Sequence, residues 1–260
     1  MLRPIRKFQQ FLVDHPLKAG EIIHHRYQVV DVIGKGSYGI LYKCMDRETR
    51  DNIVIKQLRP SKRKKIKEIN LFKKEAEIIG QLNHPNIPTF FEAFSEKEHY
   101  FYAMSLLEAE NLEETIFARK KTFNEKESLL FMRELIEIIN HIHEKKIYHL
   151  DLRIPNIMIQ NDEPYLIDFG LASQGKMLLP IKEEDAKLQD FYDIGDILLY
   201  LLYTTYSPKK KKALPWTEEL VLKKETVHLL KRLLRISEPY GTIEEIKQDI
   251  AVAIHSKEIV

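Results

Sequence analysis

The sequence predicts an α+β chain of two lobes, a small antiparallel sheet carrying one main helix followed by a mainly helical lobe. Two observations predict it. β-Branched and aromatic residues crowd positions 27–58 around a cluster of glycines, and beyond Leu107 the apolar residues recur at helical rather than alternating spacing. In order, residues 27–33, 40–44 and 52–56 read as strands bounded by turn signals. A helix follows, because Ile66, Ile69, Phe72, Ala76 and Ile79 fall three and four apart, with Ser61 as its candidate cap. Residues 87–94 and 100–107 complete the sheet. Apolar stripes then mark helices over 112–120, 126–145, 190–203 and 225–235, interrupted by a short hairpin, 157–160 with 165–167, turning at Asn161-Asp162-Glu163. The expected division is a basic extension over 1–21, a first lobe over 22–107 and a second over 108–260.

Of the 260 residues 44% are apolar, enough to bury a substantial core, and this excludes disordered and fibrous classes. The lone cysteine, Cys44, can form no internal disulfide, and no secretory leader opens the sequence, so a reducing cytoplasm is the expected location. The longest apolar run, 194–203, contains Gly195 and Asp196 and is too short for a bilayer. The net charge of +2 conceals an asymmetry: residues 1–74 carry 18 basic and 7 acidic side chains, the remainder 23 and 32. Such a split allows an anionic partner, nucleic acid or membrane, at the basic first third of the chain, through Lys62–Lys67. The first 14 residues, where Phe8, Phe11 and Leu12 lie among Arg3, Arg6 and Lys7, read as a basic amphipathic helix expected to pack on the first lobe in preference to a membrane.

The chemistry-bearing residues come in sequence order. Gly34, Gly36 and Gly39 enclose Lys35, Ser37 and Tyr38 between two strands rather than at a strand-to-helix junction, which favours a hairpin whose backbone N–H groups approach phosphate over a dinucleotide site. Lys56 lies on an apolar strand, where a cation needs a partner, and Glu75 lies on the inward stripe of the following helix; Glu77 points elsewhere. His149, Asp151, Arg153 and Asn156 immediately precede the hairpin, and Asp168-Phe169-Gly170 immediately follows it. Two carboxylates and a carboxamide thus converge on one hairpin mouth, an arrangement suited to orienting a hydroxyl and holding a divalent cation during phosphoryl transfer.

With these five motifs in order, the chain over about 22–255 resembles a eukaryotic-like (Hanks-type) serine/threonine protein kinase, most of all the small cytoplasmic kinases of Gram-positive bacteria. The resemblance implies the bilobal protein-kinase-like fold, ATP and Mg²⁺ (or Mn²⁺) as cofactors, and protein substrates. It implies Lys56 on the α- and β-phosphates with Glu75 holding it, Asp151 as the base, Arg153 over the γ-phosphate, and Asn156 and Asp168 as metal ligands. It also implies an adenine site lined by Ile33, Leu41, Val54, Met104 and Met158, main-chain contacts from Ser105 and Leu107, and Asn111 near the ribose. Ile79, His149 and Phe169 would belong to a stacked apolar spine, and Asp190, at a helix start, would brace the catalytic-loop backbone.

The departures are informative. Leu150 replaces the Arg that commonly precedes the base, and between Asp168 and Asp190 the sole hydroxyl is Ser173, so activity independent of activation-loop phosphorylation is expected. No Ala-Pro-Glu precedes Asp190; Leu179-Pro180-Ile181 is the nearest remnant, and Tyr240 replaces the Arg that usually pairs with that Glu. This loss of a peptide platform keeps open a small-molecule phosphotransferase or a nucleotide-binding scaffold as alternatives. Arg153, two residues after Asp151, disfavours tyrosine specificity. The regulatory input is expected at residues 1–14 or at Lys62–Lys67.

Overall fold

The computed structural model describes residues 14–37, 39–175, 182–207 and 214–256. The expected basic amphipathic stretch before Asp14, Tyr38 of the glycine cluster, Leu179–Ile181 and the lysines at 209–212 lie outside the described residues. The chain falls into two compact units, one ending at Leu107 and the other beginning at Glu108.

In the first unit, β1 (Ile22–Ile23), β2 (Tyr27–Lys35), β3 (Gly39–Asp46), β4 (Asn52–Leu58), β5 (Phe90–Glu96) and β6 (His99–Ser105) form one antiparallel sheet in the order β1-β2-β3-β4-β6-β5. Alternation along the strands divides its faces. Ile53 and Ile55 join Tyr27, Val29, Ile40, Tyr42, Cys44, Phe101 and Ala103 in a buried cluster on one side. Burial pushes the Cys44 thiol up to about 12, so the cysteine is an inert core residue. On the other side, register places Gly34, Leu41, Lys56 and Tyr102 in one row across four strands, and Lys43, Val54 and Met104 in the next.

Helix α1 (Ile66–Ile79) buries Phe72, Glu75, Ala76, Ile78 and Ile79. Its predicted start needs correction. Lys65 is the N-cap and offers no side-chain bond, while Ser61 lies in a preceding 3-10 turn, Pro60–Lys62, and turns its hydroxyl to Asp14. Ile66 of the predicted stripe is 76% exposed because it opens the first turn, ahead of the point where the helix meets the sheet. Lys62 is buried and paired with Glu68 at 3.0 Å, so the cationic surface expected over 62–67 reduces to Lys64, Lys65 and Lys67.

The second unit is built on α3 (Glu125–Glu144). Asn124 and Glu127 form a reciprocal capping box at its start, and nine inward residues from Ser128 to Ile142 are buried. Around it stand α2 (Leu112–Phe117), α4 (Glu183–Tyr203), α5 (Trp216–Glu219), α6 (Lys224–Leu233) and α7 (Ile243–His255). Two small sheets carry the functional loops: β7 (Glu110–Asn111), β9 (Ile157–Gln160) and β10 (Glu163–Leu166) in the order β10-β9-β7, and β8 (Ile147–Tyr148) with β11 (Ser173–Gln174). The β9–β10 hairpin turns on Asn161 and Asp162, both at positive φ (53° and 66°), the conformation a two-residue hairpin turn requires.

The helix expected over 190–203 begins seven residues earlier, at Glu183. Glu183, Glu184 and Asp185 fill its first turn, where carboxylates meet the positive end of the helix dipole. Asp190 is therefore an interior residue of α4, not its start. Tyr240, in the place of the missing Arg, is buried under the Arg232 guanidinium, 3.8 Å from its ring centroid, and donates its hydroxyl to Asp249 at 2.6 Å. An aromatic plug held by a surface ion pair network thus stands where an internal ion pair would otherwise need both partners.

Candidate functional site

In the first unit the antiparallel register brings Lys56 beneath the glycine turn. The turn closes with Gly36 N–H donating to Gly39 O at 3.0 Å, between strands β2 and β3 as expected. A Cβ on Gly39 would lie 3.0 Å from Gln57 O and 3.1 Å from Lys56 Cε, so a side chain there would press on the Lys56 stem and the neighbouring strand. Gly34 packs as tightly against Leu41, at 3.1 Å for its virtual Cβ. Lys56 Nζ meets Glu75 Oε1 at 2.5 Å, both side chains nearly sealed from solvent. Tyr102 donates its hydroxyl to the same carboxylate at 3.0 Å and places its ring 5.8 Å from Nζ. Sequence reasoning missed Tyr102; alternation along β6 puts it on the same face as Met104, which the family resemblance had assigned, two residues earlier. Glu77 is exposed, as expected.

Of the apolar positions assigned to adenine, Val54 is buried, Leu41 and Met104 are half-buried and Ile33 is 47% exposed beside an irregularity of the β2 register. Ser105 accepts from Thr89 N–H through its hydroxyl at 2.9 Å, and its own N–H is spent on Thr89 O. Leu107 ends the unit, half-buried.

In the second unit the loop between β8 and β9 assembles Asp151, Arg153 and Asn156. Asn156 is buried and donates Nδ2 to Asp151 O at 2.8 Å and to Asp151 Oδ2 at 3.0 Å, while Arg153 Nε stands 3.6 Å from that same Oδ2. Both Asn156 amide hydrogens being directed at Asp151, its Oδ1 is the atom left for a cation. Ile167 N–H donates to Asn156 O, which ties the loop to the start of Asp168-Phe169-Gly170. Asp168 is exposed and accepts from Gly170 N–H at 3.3 Å. Met158 lies half-buried on β9, opposite Asn111. Asn111 itself caps α2, its Oδ1 accepting Glu114 N–H at 2.8 Å, which leaves its Nδ2 for a ribose hydroxyl.

The loop is held from below by Asp190, fully buried, which accepts His149 N–H at 2.9 Å, Leu150 N–H at 2.8 Å and bonds His143 Nε2 at 2.8 Å. His149 donates Nε2–H to Ile167 O at 3.2 Å and packs against Phe169 with the ring centroids 5.0 Å apart and the planes tilted by 59°. Complete burial pushes its pKa down, so the ring is neutral and its proton sits on Nε2. Leu150 and Asp168 both adopt left-handed backbone, φ 61°. Such a conformation costs about 1 kcal/mol or more per residue and persists only where neighbours impose it, here the Asp190 carboxylate on Leu150 N–H.

A second acid supports the same loop and was not foreseen. Asp193, one turn after Asp190, accepts from Gln189 Nε2 at 2.8 Å and from Leu152 N–H, and burial pushes its carboxyl up to about 6. The folded protein therefore binds this proton more tightly than the unfolded chain, so the group's contribution to stability falls as pH rises from about 4 to 6 and the full cost of the buried charge is present above that. Asp193→Asn, which keeps an acceptor oxygen, is expected to stabilise the protein at pH 7.5 by about 1–3 kcal/mol and to change nothing at pH 4. Thermal melts at the two pH values decide this; an equal shift at both would contradict it.

Comparison with known proteins gives the arrangement a relationship. The protein kinase domain family matches residues 27–184. A probable serine/threonine-protein kinase, YbdM of Bacillus subtilis (strain 168), is 42% identical over 255 residues, covering 97% of this chain and 98% of that protein. The human NUAK family SNF1-like kinase 1 is 28% identical over 170 residues, 65% of this chain and 24% of its own length. The serine/threonine-protein kinase PLK4 of Xenopus tropicalis is 29% identical over 162 residues, 61% and 17% respectively. The chain thus spans about a quarter or less of these two longer relatives but nearly the whole of the bacterial one. On the ordered motifs, the sheet with its single helix and the near full-length match, the chain belongs to the protein kinase family.

Proposed function

We propose that the protein transfers the γ-phosphoryl group of ATP to serine or threonine hydroxyls of protein substrates. The observation that carries the proposal is the buried Lys56–Glu75 pair: a cation inside an apolar sheet, held at 2.5 Å by a carboxylate that Tyr102 also orients. Such a charge has no purpose in the core, where apolar residues of the same size are as stable or more so. Its use is to meet an anion.

In the reaction, Lys56 neutralises the α- and β-phosphates and the backbone of the Gly34–Gly39 turn faces the phosphate oxygens. Asp151 orients the acceptor hydroxyl and takes its proton as the hydroxyl oxygen bonds to the γ-phosphorus. The bond from that phosphorus to the β–γ bridging oxygen breaks, and ADP leaves. Arg153 offers its guanidinium to the γ-phosphate. The divalent cation that ATP brings supplies charge neutralisation on the phosphate oxygens. Asn156 Oδ1 and the Asp168 carboxylate suit Mg²⁺ or Mn²⁺, hard cations that bind through one or two protein oxygens together with phosphate and water. Among the described residues no three His, Cys, Asp or Glu side chains converge, and a cation so shared with ATP needs no such cage. Among the same residues no helix is long and apolar enough to cross a membrane. With its one cysteine buried and inert, the enzyme suits the cytoplasm.

Turnover does not depend on phosphate in the Asp168–Asp190 stretch. Ser173, its sole hydroxyl among the sequence positions there, is 6% exposed and pairs with Tyr148 in a strand. Leu150, in place of a phosphate-binding Arg, packs on Tyr148 and Ala186. The ordering that a phosphate would supply comes from an apolar contact with α4. Ser173→Ala, and phosphatase treatment of the wild type, are expected to leave kcat within about twofold; a tenfold loss from either would contradict this. The function itself is tested by labelling a generic basic protein with ATP carrying a γ-label and resolving the phosphoamino acids. Phosphoserine or phosphothreonine is the expected product, and label confined to phosphotyrosine or to a small molecule would refute the reading.

A further inference from the structure

Arg59 stands one residue beyond the β4 strand that carries Lys56, and Leu58 pairs with Gly39, so Arg59 emerges beside the glycine turn. Its guanidinium reaches back to the turn: Nε donates to Gly36 O at 2.7 Å. On its other edge, Nη1 donates to Asp14 Oδ2 at 2.9 Å. Asp14 is the first described residue of the chain, and its side chain is only 2% exposed. Ser61 completes its bonding, N–H to Oδ1 at 2.8 Å and Oγ to Oδ2 at 3.0 Å. Arg59 is thus a planar fork fixed at one end by a buried, fully satisfied carboxylate and applied at the other to one carbonyl of a glycine turn.

A consequence follows from peptide geometry. The Gly36–Ser37 peptide is planar and trans, so its N–H points opposite to its C=O. Glycine at 36 imposes no preference on that peptide, and a Cβ there would meet nothing nearer than Gly39 O at 3.9 Å, so the turn does not fix itself by packing. Arg59, by holding the Gly36 carbonyl, aims the Ser37 N–H to the far side. We propose that Arg59 is a positioning residue for ATP phosphate, that it acts by presenting the Ser37 N–H as an anion donor, and that Asp14 sets it.

The inference rests on the ATP-dependent reading above, and it is tested by comparing a phosphate-bearing ligand with one that has none. Titrations of the full-length protein with ATP and with adenosine, alongside steady-state kinetics, are made on wild type, Arg59→Met, Arg59→Lys and Asp14→Asn. Arg59→Met is expected to weaken ATP binding and raise KM for ATP by about fivefold to tenfold, with kcat within about twofold and adenosine affinity unchanged. Arg59→Lys is expected not to rescue, because one ammonium cannot span Asp14 and Gly36 O. Asp14→Asn keeps the size and the Ser61 contacts, turns an amide donor toward Arg59, and shifts ATP affinity in the same direction by less. It also carries the test if Arg59→Met does not fold. Equal loss of ATP and adenosine affinity, or no loss of either, would overturn the proposal while leaving the kinase reading intact. A wild type that binds no ATP would overturn both.

Discussion

Glu75→Ala is expected to abolish useful turnover, lowering kcat by about 10²–10³-fold, because Lys56, proposed to meet the phosphates, loses the carboxylate that fixes its ammonium. The same change is expected to destabilise the fold by about 3–5 kcal/mol, since the buried Lys56 ammonium loses its 2.5 Å contact with the Glu75 carboxylate. Lys56→Met has the converse effect: Glu75 keeps the Tyr102 hydroxyl but loses the cation. The double variant Lys56→Met/Glu75→Leu separates structure from chemistry. Two apolar side chains of similar volume replace the pair, so stability recovers most of what each single change loses, while kcat does not recover at all. Denaturant titration and initial rates on the three proteins measure both quantities. Recovery of activity with stability would show that the pair serves packing alone.

Asp190→Ala is the second large effect. Removing this carboxylate leaves the buried N–H groups of His149 and Leu150 and the His143 ring without their acceptor, at about 1–3 kcal/mol for each lost partner. A loss of about 3–5 kcal/mol is expected, roughly 10 °C in Tm for a chain of this size. The loop that carries Asp151 is then free to relax the left-handed conformation of Leu150, so kcat falls further than stability alone explains, by about 10²-fold at a temperature where the variant is still folded. Asp190→Asn is no rescue, because its amide group would face an N–H donor. A variant with lowered Tm and unchanged kcat would confine Asp190 to a structural role.

The parts of this fold that the sequence announces are those with local causes. The strands of 27–58 follow from β-branched runs, and the glycine turn from its spacing. The Lys56–Glu75 pair follows from a cation on an apolar strand and an acid on an inward helical stripe. What the sequence conceals depends on distant partners. Ser61 reads as a helix cap but serves Asp14, 47 positions away. Lys62 reads as one lysine in an exposed run but is buried on Glu68. The early start of α4 is hidden because over residues 183–189 only Ala186 faces the interior, too little for an apolar period to register. Asp193 resembles any polar helix residue until the loop carrying Leu152 is folded over it.

The most direct measurement is transfer of γ-label from ATP, with Mg²⁺ or Mn²⁺, to the protein itself and to a generic basic protein, for wild type, Asp151→Ala and Asp168→Ala side by side. The expected result is label with the wild type and none with either variant, while all three remain folded by thermal melt. Label undiminished in both variants, or none with a wild type that ATP nevertheless stabilises, would contradict the assignment of Asp151 and Asp168 to phosphoryl transfer.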